Sequence, residues 1–175
     1  MNRKVKIILI VLTVFASGFT NPDNSENLAG DYKLFKIDRS RGPDIVVYDV
    51  RLDSQGKLDS SSPISVYWKK FSEDSITEPL TGTQKRFGYG IKFQNISEHS
   101  ADFKFVSSLD RIFTLRKSGD DHYRVYTFSE GNKVEVKRLY IHFEDDAFWF
   151  PEISRIELVG LDTEKGSMVS ESIIP

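Results

Sequence analysis

From Asp31 onward, apolar and polar residues alternate with a period of two, and turn-forming residues interrupt the alternation roughly every eight to twelve positions. A period of two sends successive side chains to opposite faces of a strand, so the pattern predicts half-buried β-strands. Asp44–Asp53 is the clearest case. Val46, Tyr48, Val50 and Leu52 share one face, while Asp49, Arg51 and Asp53 take the other. After Pro63 the alternation returns with Ile64, Val66 and Trp68, opposite Ser65, Tyr67 and Lys69. The glycine turn Asp53-Ser54-Gln55-Gly56-Lys57 between them predicts a hairpin with a long loop. Further strands are expected at Tyr32–Asp38, Tyr89–Ile96, Ala101–Val106, Arg111–Lys117, Tyr123–Phe128, Val134–Phe143, Ile153–Leu161 and Met168–Ile173.

One of these breaks its own parity. Val134 and Val136 point one way, yet Leu139, Ile141 and Phe143 fall on the opposite count. An extra residue near Lys137-Arg138 restores a single buried face, which predicts a β-bulge there. One short helix is expected, because Thr81 and Gln84 have capping-box spacing and Gly88 can stop the turn. Leu80 and Phe87 would share its buried side. The pattern therefore predicts a single all-β domain, antiparallel and barrel-like, of about eight to ten strands in mostly up-and-down order. A two-layer β-sandwich is the alternative.

The first thirty residues follow another logic. Arg3, Lys4 and Lys6 precede the apolar run Ile7–Phe15 and the small residues Ala16-Ser17-Gly18. That is the layout of a secretory signal peptide, with a cut expected after Gly18. The thirteen residues Ile7–Phe19 would make only roughly 20 Å of helix, short of the ~30 Å hydrocarbon core, so no transmembrane span is expected after cleavage. Residues 19–30 are polar and aperiodic and read as a disordered leader, and residues 31–175 form the domain. The expected address is exported, either periplasmic or secreted.

Composition narrows the chemistry. The formal charge of −2 falls to about −5 once Arg3, Lys4 and Lys6 leave with the signal. No cluster of Lys and Arg offers a footprint for nucleic acid. With no cysteine, disulfides, thiolate catalysis, cysteine-based metal sites and a lipoprotein anchor all drop out. The 13 Phe, 7 Tyr and 2 Trp supply the apolar area that a disulfide-free exported domain needs. No nucleophile elbow, zinc helix, P-loop or dinucleotide fingerprint occurs, so no catalytic residue and no cofactor is expected. His99, His122 and His142 are scattered rather than spaced as metal ligands. Asp53–Asp59 has the flavour of a calcium loop but lacks its terminal bidentate Glu and reads as a turn.

Three candidate sites remain. Arg39 and Arg41, in Arg39-Ser40-Arg41-Gly42-Pro43 at a strand end, could hold a carboxylate or phosphate through charge-assisted bonds. The bland reading is a solvated loop whose arginines pair with Asp38 and Asp44. Tyr48, Trp68 and Tyr89 lie on or near strands expected to be neighbours and could line an aromatic cavity, or simply fill the core. Phe148-Trp149-Phe150 cannot all point inward, so at least one is a candidate partner contact or a cover over an open end.

In order along the chain, Phe35-Lys36-Ile37-Asp38-Arg39-Ser40, Ile45-Val46-Val47-Tyr48-Asp49, Pro63-Ile64-Ser65-Val66-Tyr67-Trp68, Gly88-Tyr89-Gly90-Ile91 and Ile156-Glu157-Leu158-Val159-Gly160 to Glu171 resemble an uncharacterised bacterial envelope family, domain of unknown function 4833. The resemblance spans Tyr32 to Pro175. Its pattern favours asparagines after the Arg-Ser pair, where this chain carries Gly42-Pro43-Asp44. It implies an envelope location and assigns no activity. The expected function is therefore non-catalytic binding of a small amphipathic or acidic ligand. The alternatives are an envelope interaction or structural module and, third, an unrecognised enzyme.

Overall fold

The computed structural model describes residues 33–71, 76–107, 110–144 and 152–174. The expected signal, the leader and Phe148-Trp149-Phe150 lie outside these residues. The first four strands are β1 (Lys33–Arg39), β2 (Ile45–Val50), β3 (Ile64–Lys70) and β4 (Ile76–Pro79), followed by helix α1 (Gly82–Phe87). Then come β5 (Ile91–Gln94), β6 (Ser100–Phe105), β7 (Phe113–Lys117) and β8 (Tyr123–Ser129). The chain closes with β9 (Asn132–Phe143), β10 (Ile153–Asp162) and β11 (Met168–Ile173).

The all-β expectation holds, as one curled half-barrel sheet with, among the described residues, a single short helix. Two antiparallel meanders compose it, β1 to β4 and β5 to β11. They are joined by a pairing that local alternation does not reveal, since β1 runs parallel to β9 with Ile37 opposite Leu139 and Arg39 opposite Ile141. The sheet does not close into a cylinder. Its order runs from β4 to β5, and those two strands pair only inward. Each is four residues long, and Pro79 in β4 has no N–H to donate. Strand β4 was not legible for the same reason: it is short, largely exposed and ends in proline.

β9 holds the two meanders together. Its first four residues pair with β8, residues 138–141 pair with β1, and β10 covers its other edge along most of its length. The expected bulge marks the change of partner. Val159 faces Arg138 and the next residue, Gly160, faces Val136, so Lys137 is the extra residue. It is exposed while Val136 and Leu139 on either side are buried. Gly160 allows the close approach, because a Cβ there would lie 2.3 Å from Val134 Cγ1 and 2.5 Å from the Glu135 carbonyl oxygen.

The concave face is lined by aromatic rings. Phe35 of β1 stacks on Tyr48 of β2 at 4.4 Å, and Phe105 of β6 meets Tyr48 edge-on at 5.8 Å. Phe103 stacks on Phe113 of β7 at 5.5 Å and touches Phe105 edge-on. This cluster brings the two meanders together across the interior, and such pairs add roughly 0.5–1.5 kcal/mol each beyond area burial.

The helix is capped as its spacing requires. The Thr81 hydroxyl accepts from Gln84 N, and the Gln84 carbonyl oxygen of the side chain accepts from Thr81 N. Its packing differs from expectation. Leu80 is buried, whereas Phe87 is 67% exposed. Leu80 precedes the Thr81 cap and so reaches the core from outside the helix, while Phe87 ends the helix and is left at a rim.

Candidate functional site

At one end of the half-barrel the inward rows stop being filled. Arg39, Ile141 and Ile156 form a lateral row across β1, β9 and β10. Below it, Ile37, Leu139 and Leu158 form the next row, all buried. Arg39 faces inward because it shares the parity of Phe35 and Ile37, the position where the alternation places an apolar residue elsewhere in β1. Over these rows lies a cavity of about 300 Å³. Leu139, Ile141 and Phe143 of β9 and Ile153 and Ile156 of β10 make one wall. Phe87, Gly88 and Tyr89, leaving α1, make another, with Phe105 and Ser107 beyond β6. Among the described residues, Arg39 is the one charged residue of the lining.

The guanidinium is held from behind. Its Cζ lies 4.4 Å from the centroid of the Trp68 ring, and Trp68 in turn meets the Tyr89 ring edge-on at 5.2 Å. Cation–π contact covers one face of the fork and leaves its edges. Arg39 Nε is buried without a hydrogen-bond partner, and so is Trp68 Nε1. The Tyr89 phenol is pushed above its ordinary pKa by burial, which outweighs the opposing charge and hydrogen bond of Arg39. It stays protonated at neutral pH and keeps an O–H to donate.

The loop pairing expected for the arginines does not form at Arg39. Asp38 points to the outer face, where Arg138 Nε reaches it at 2.6 Å and Lys36 at 3.5 Å. Arg41 separates from Arg39. Its guanidinium donates to the Glu144 backbone carbonyl and lies 5.7 Å from the Phe143 ring centroid, so it braces the outside of a cavity wall. Ser40 ties the same segment to β9, its N–H donating to Ile141 O at 2.9 Å and its hydroxyl accepting from Phe143 N at 3.0 Å.

Tyr48 stands apart as well. It is fully buried one row deeper, between Phe35 and Phe105, and its hydroxyl donates to the Tyr89 backbone oxygen at 2.7 Å. Its role is to fill the core and to hold Tyr89 in place. The structure thus brings together Arg39, Trp68 and Tyr89 of the five residues singled out, with Arg41 and Tyr48 as supports. The aliphatic walls were missed as a site. Their inward parity in β9 was readable, but their neighbours across the parallel junction were not.

The histidines do not converge. His122 Nδ1 faces Asp120, His142 Nε2 lies 3.6 Å from Glu157 on the opposite edge of β9, and His99 Nδ1 meets the Tyr123 hydroxyl at 3.4 Å. Among the described residues no three His, Asp or Glu side chains gather as metal ligands. The 53–59 segment is a turn, with Asp53 Oδ1 accepting from Gln55 N and Lys57 N and Gly56 at φ 75°.

The same segments that build the cavity and its core carry a family match. The model of Domain of unknown function (DUF4833) covers residues 35–172, from the Phe35 stack through the β10–β11 hairpin. The chain belongs to the DUF4833 family. No curated protein and no solved structure matches it. Both Arg39 and Tyr89 lie inside the DUF4833 match, as do all the strands that wall the cavity except the first two residues of β1. None of the helices among the described residues is long and apolar enough to cross a membrane.

Proposed function

We propose that this DUF4833 chain is a non-catalytic, exported β domain of the bacterial envelope that holds a small amphipathic ligand in the Arg39 cavity. The observation that carries the reading is a guanidinium, the one charged group among the described lining residues, on an apolar cavity, with Nε buried and unpartnered. A buried donor without a partner costs roughly 1–3 kcal/mol, which a bound acceptor would recover. The volume lies at the lower end of small-molecule sites, about 300–1,000 Å³. One cation, one phenol and one serine hydroxyl among apolar walls suit retention of a ligand better than its transformation. The basic, apolar and small-residue start of the chain supports export.

Native mass spectrometry of the protein purified from its own host, repeated after denaturation, tests this reading. A small-molecule mass present only in the native spectrum is expected. A bare chain in both spectra would overturn it and turn the search to envelope partners of Phe148-Trp149-Phe150.

A further inference from the structure

Resting on that reading, we infer that the ligand is an amphipathic monocarboxylate, with its planar head on Arg39 and Tyr89 and its apolar tail along Leu139, Ile141 and Ile156. Charge comes first. Arg39 is the only charged group on the lining among the described residues, and Arg41, the second candidate cation, is turned outward onto the Glu144 carbonyl. One buried positive charge balances one negative charge. A dianionic phosphate ester would leave its second charge uncompensated beside aliphatic walls, at a desolvation cost that the site has no group to offset.

Geometry narrows the head further. Trp68 covers one guanidinium face at 4.4 Å, so the fork offers in-plane N–H donors. Such donors match the two coplanar oxygens of a carboxylate, and Nε is buried without a partner. The Tyr89 hydroxyl, beside the same guanidinium, adds an O–H donor that a carboxylate oxygen can accept. An uncharged alcohol head would use the phenol but leave the guanidinium without a counter-charge. The row Arg39–Ile141–Ile156 then sets the direction of the tail, since it runs from the cation across β9 to β10.

Isothermal titration of the purified protein with decanoate, decanol and decyl phosphate, near neutral pH, tests the assignment. Decanoate should bind at least about tenfold more tightly than either of the others. Arg39→Gln should erase that preference while decanol affinity stays unchanged. Arg39→Lys, which keeps the charge and the bulk of the stem but loses the fork, should retain only part of it, and Tyr89→Phe should lose a smaller factor. Thermal melts of each variant show whether the fold is intact. Decyl phosphate binding as well as decanoate, or decanoate binding undiminished in Arg39→Gln, overturns the head-group inference. Equal binding of all three leaves the cavity reading standing without it. No binding of any of the three overturns both.

Discussion

Two regions of the same concave face, which share β1 and β6, behave oppositely. In the inner region Phe35 and Tyr48 pair across β1 and β2, Phe103 and Phe113 pair across β6 and β7, and the last three of these rings are fully buried. In the outer region the inward position after Ile37 is Arg39, and the space before it stays open. Polar groups show the contrast most plainly. The Tyr48 hydroxyl has its acceptor at 2.7 Å, whereas Arg39 Nε and Trp68 Nε1 have none. One alternating pattern therefore supplies both a core and a candidate site, and the change from one to the other is a single residue type at an unchanged parity.

The comparison can be broken most forcefully from the inside. Phe103→Ala removes a ring with zero exposure that stacks on Phe113, and should cost about 3–5 kcal/mol of unfolding free energy in a denaturant titration. A loss below about 1 kcal/mol would mean that the inner region is not a packed core. Gly160→Ala acts on the junction that both regions share. Its Cβ meets Val134 and the Glu135 carbonyl, so about 1–3 kcal/mol should be lost. The amide protection of β1 and β9 should fall with it in hydrogen exchange; loss confined to β10–β11 would show that the bulge does not hold the meanders together.

Acid should weaken the margin of the sheet through groups remote from the cavity. The Glu171 carboxyl is held below its ordinary pKa chiefly by Arg111, whose two guanidinium nitrogens reach it at 2.5 and 2.8 Å. The backbone N–H groups of Lys165 and Glu164 do the same for Asp162. A depressed carboxylate stabilises the fold above its unfolded pKa and loses that contribution as pH falls through the folded value. Melting temperature should therefore drop on acidification below about pH 4.5, and Arg111→Ala should reduce the steepness of the drop. Asp49 works in the other sense, because burial raises its pKa and protonation relieves that cost. A melting temperature flat across this range would remove these pairs from the account.

The smallest expected effect is the most discriminating. Arg39→Gln should change stability by less than about 1 kcal/mol, because the guanidinium has no ion-pair partner among the described residues and its Nε is unsatisfied. Circular-dichroism melts decide the matter. A loss approaching that of Phe103→Ala would make Arg39 a structural residue and erase the distinction between the two regions.

Much of this was readable beforehand, for identifiable reasons. Ten of the eleven strands follow from period-two alternation. The bulge at Lys137 follows from the parity conflict between Val136 and Leu139, and the capped helix from Thr81 and Gln84. Arg39 was singled out as a cation closing a strand, and the shared parity of Phe35, Ile37 and Arg39 carries the further signal that it faces inward. The separation of Arg41 from Arg39 was not readable, because it depends on a backbone carbonyl 103 positions away. Nor was the burial of Tyr48 in the core distinguishable from a place on the cavity wall, since Tyr48 and Trp68 share the same inward parity.

By itself the sequence determined the local order of this protein: which residues face in, where strands turn and bend, and that the domain is all-β and cysteine-free. These properties depend on neighbours one to four positions apart, where backbone sterics and side-chain alternation act directly. Only the tertiary structure decided that β1 joins β9 in parallel, and hence that Arg39 lies beside Ile141 and Ile156 across an open row. That junction links residues about a hundred positions apart. Its register is set by the packing of two meanders around a shared aromatic core, a cooperative balance that no local pattern records.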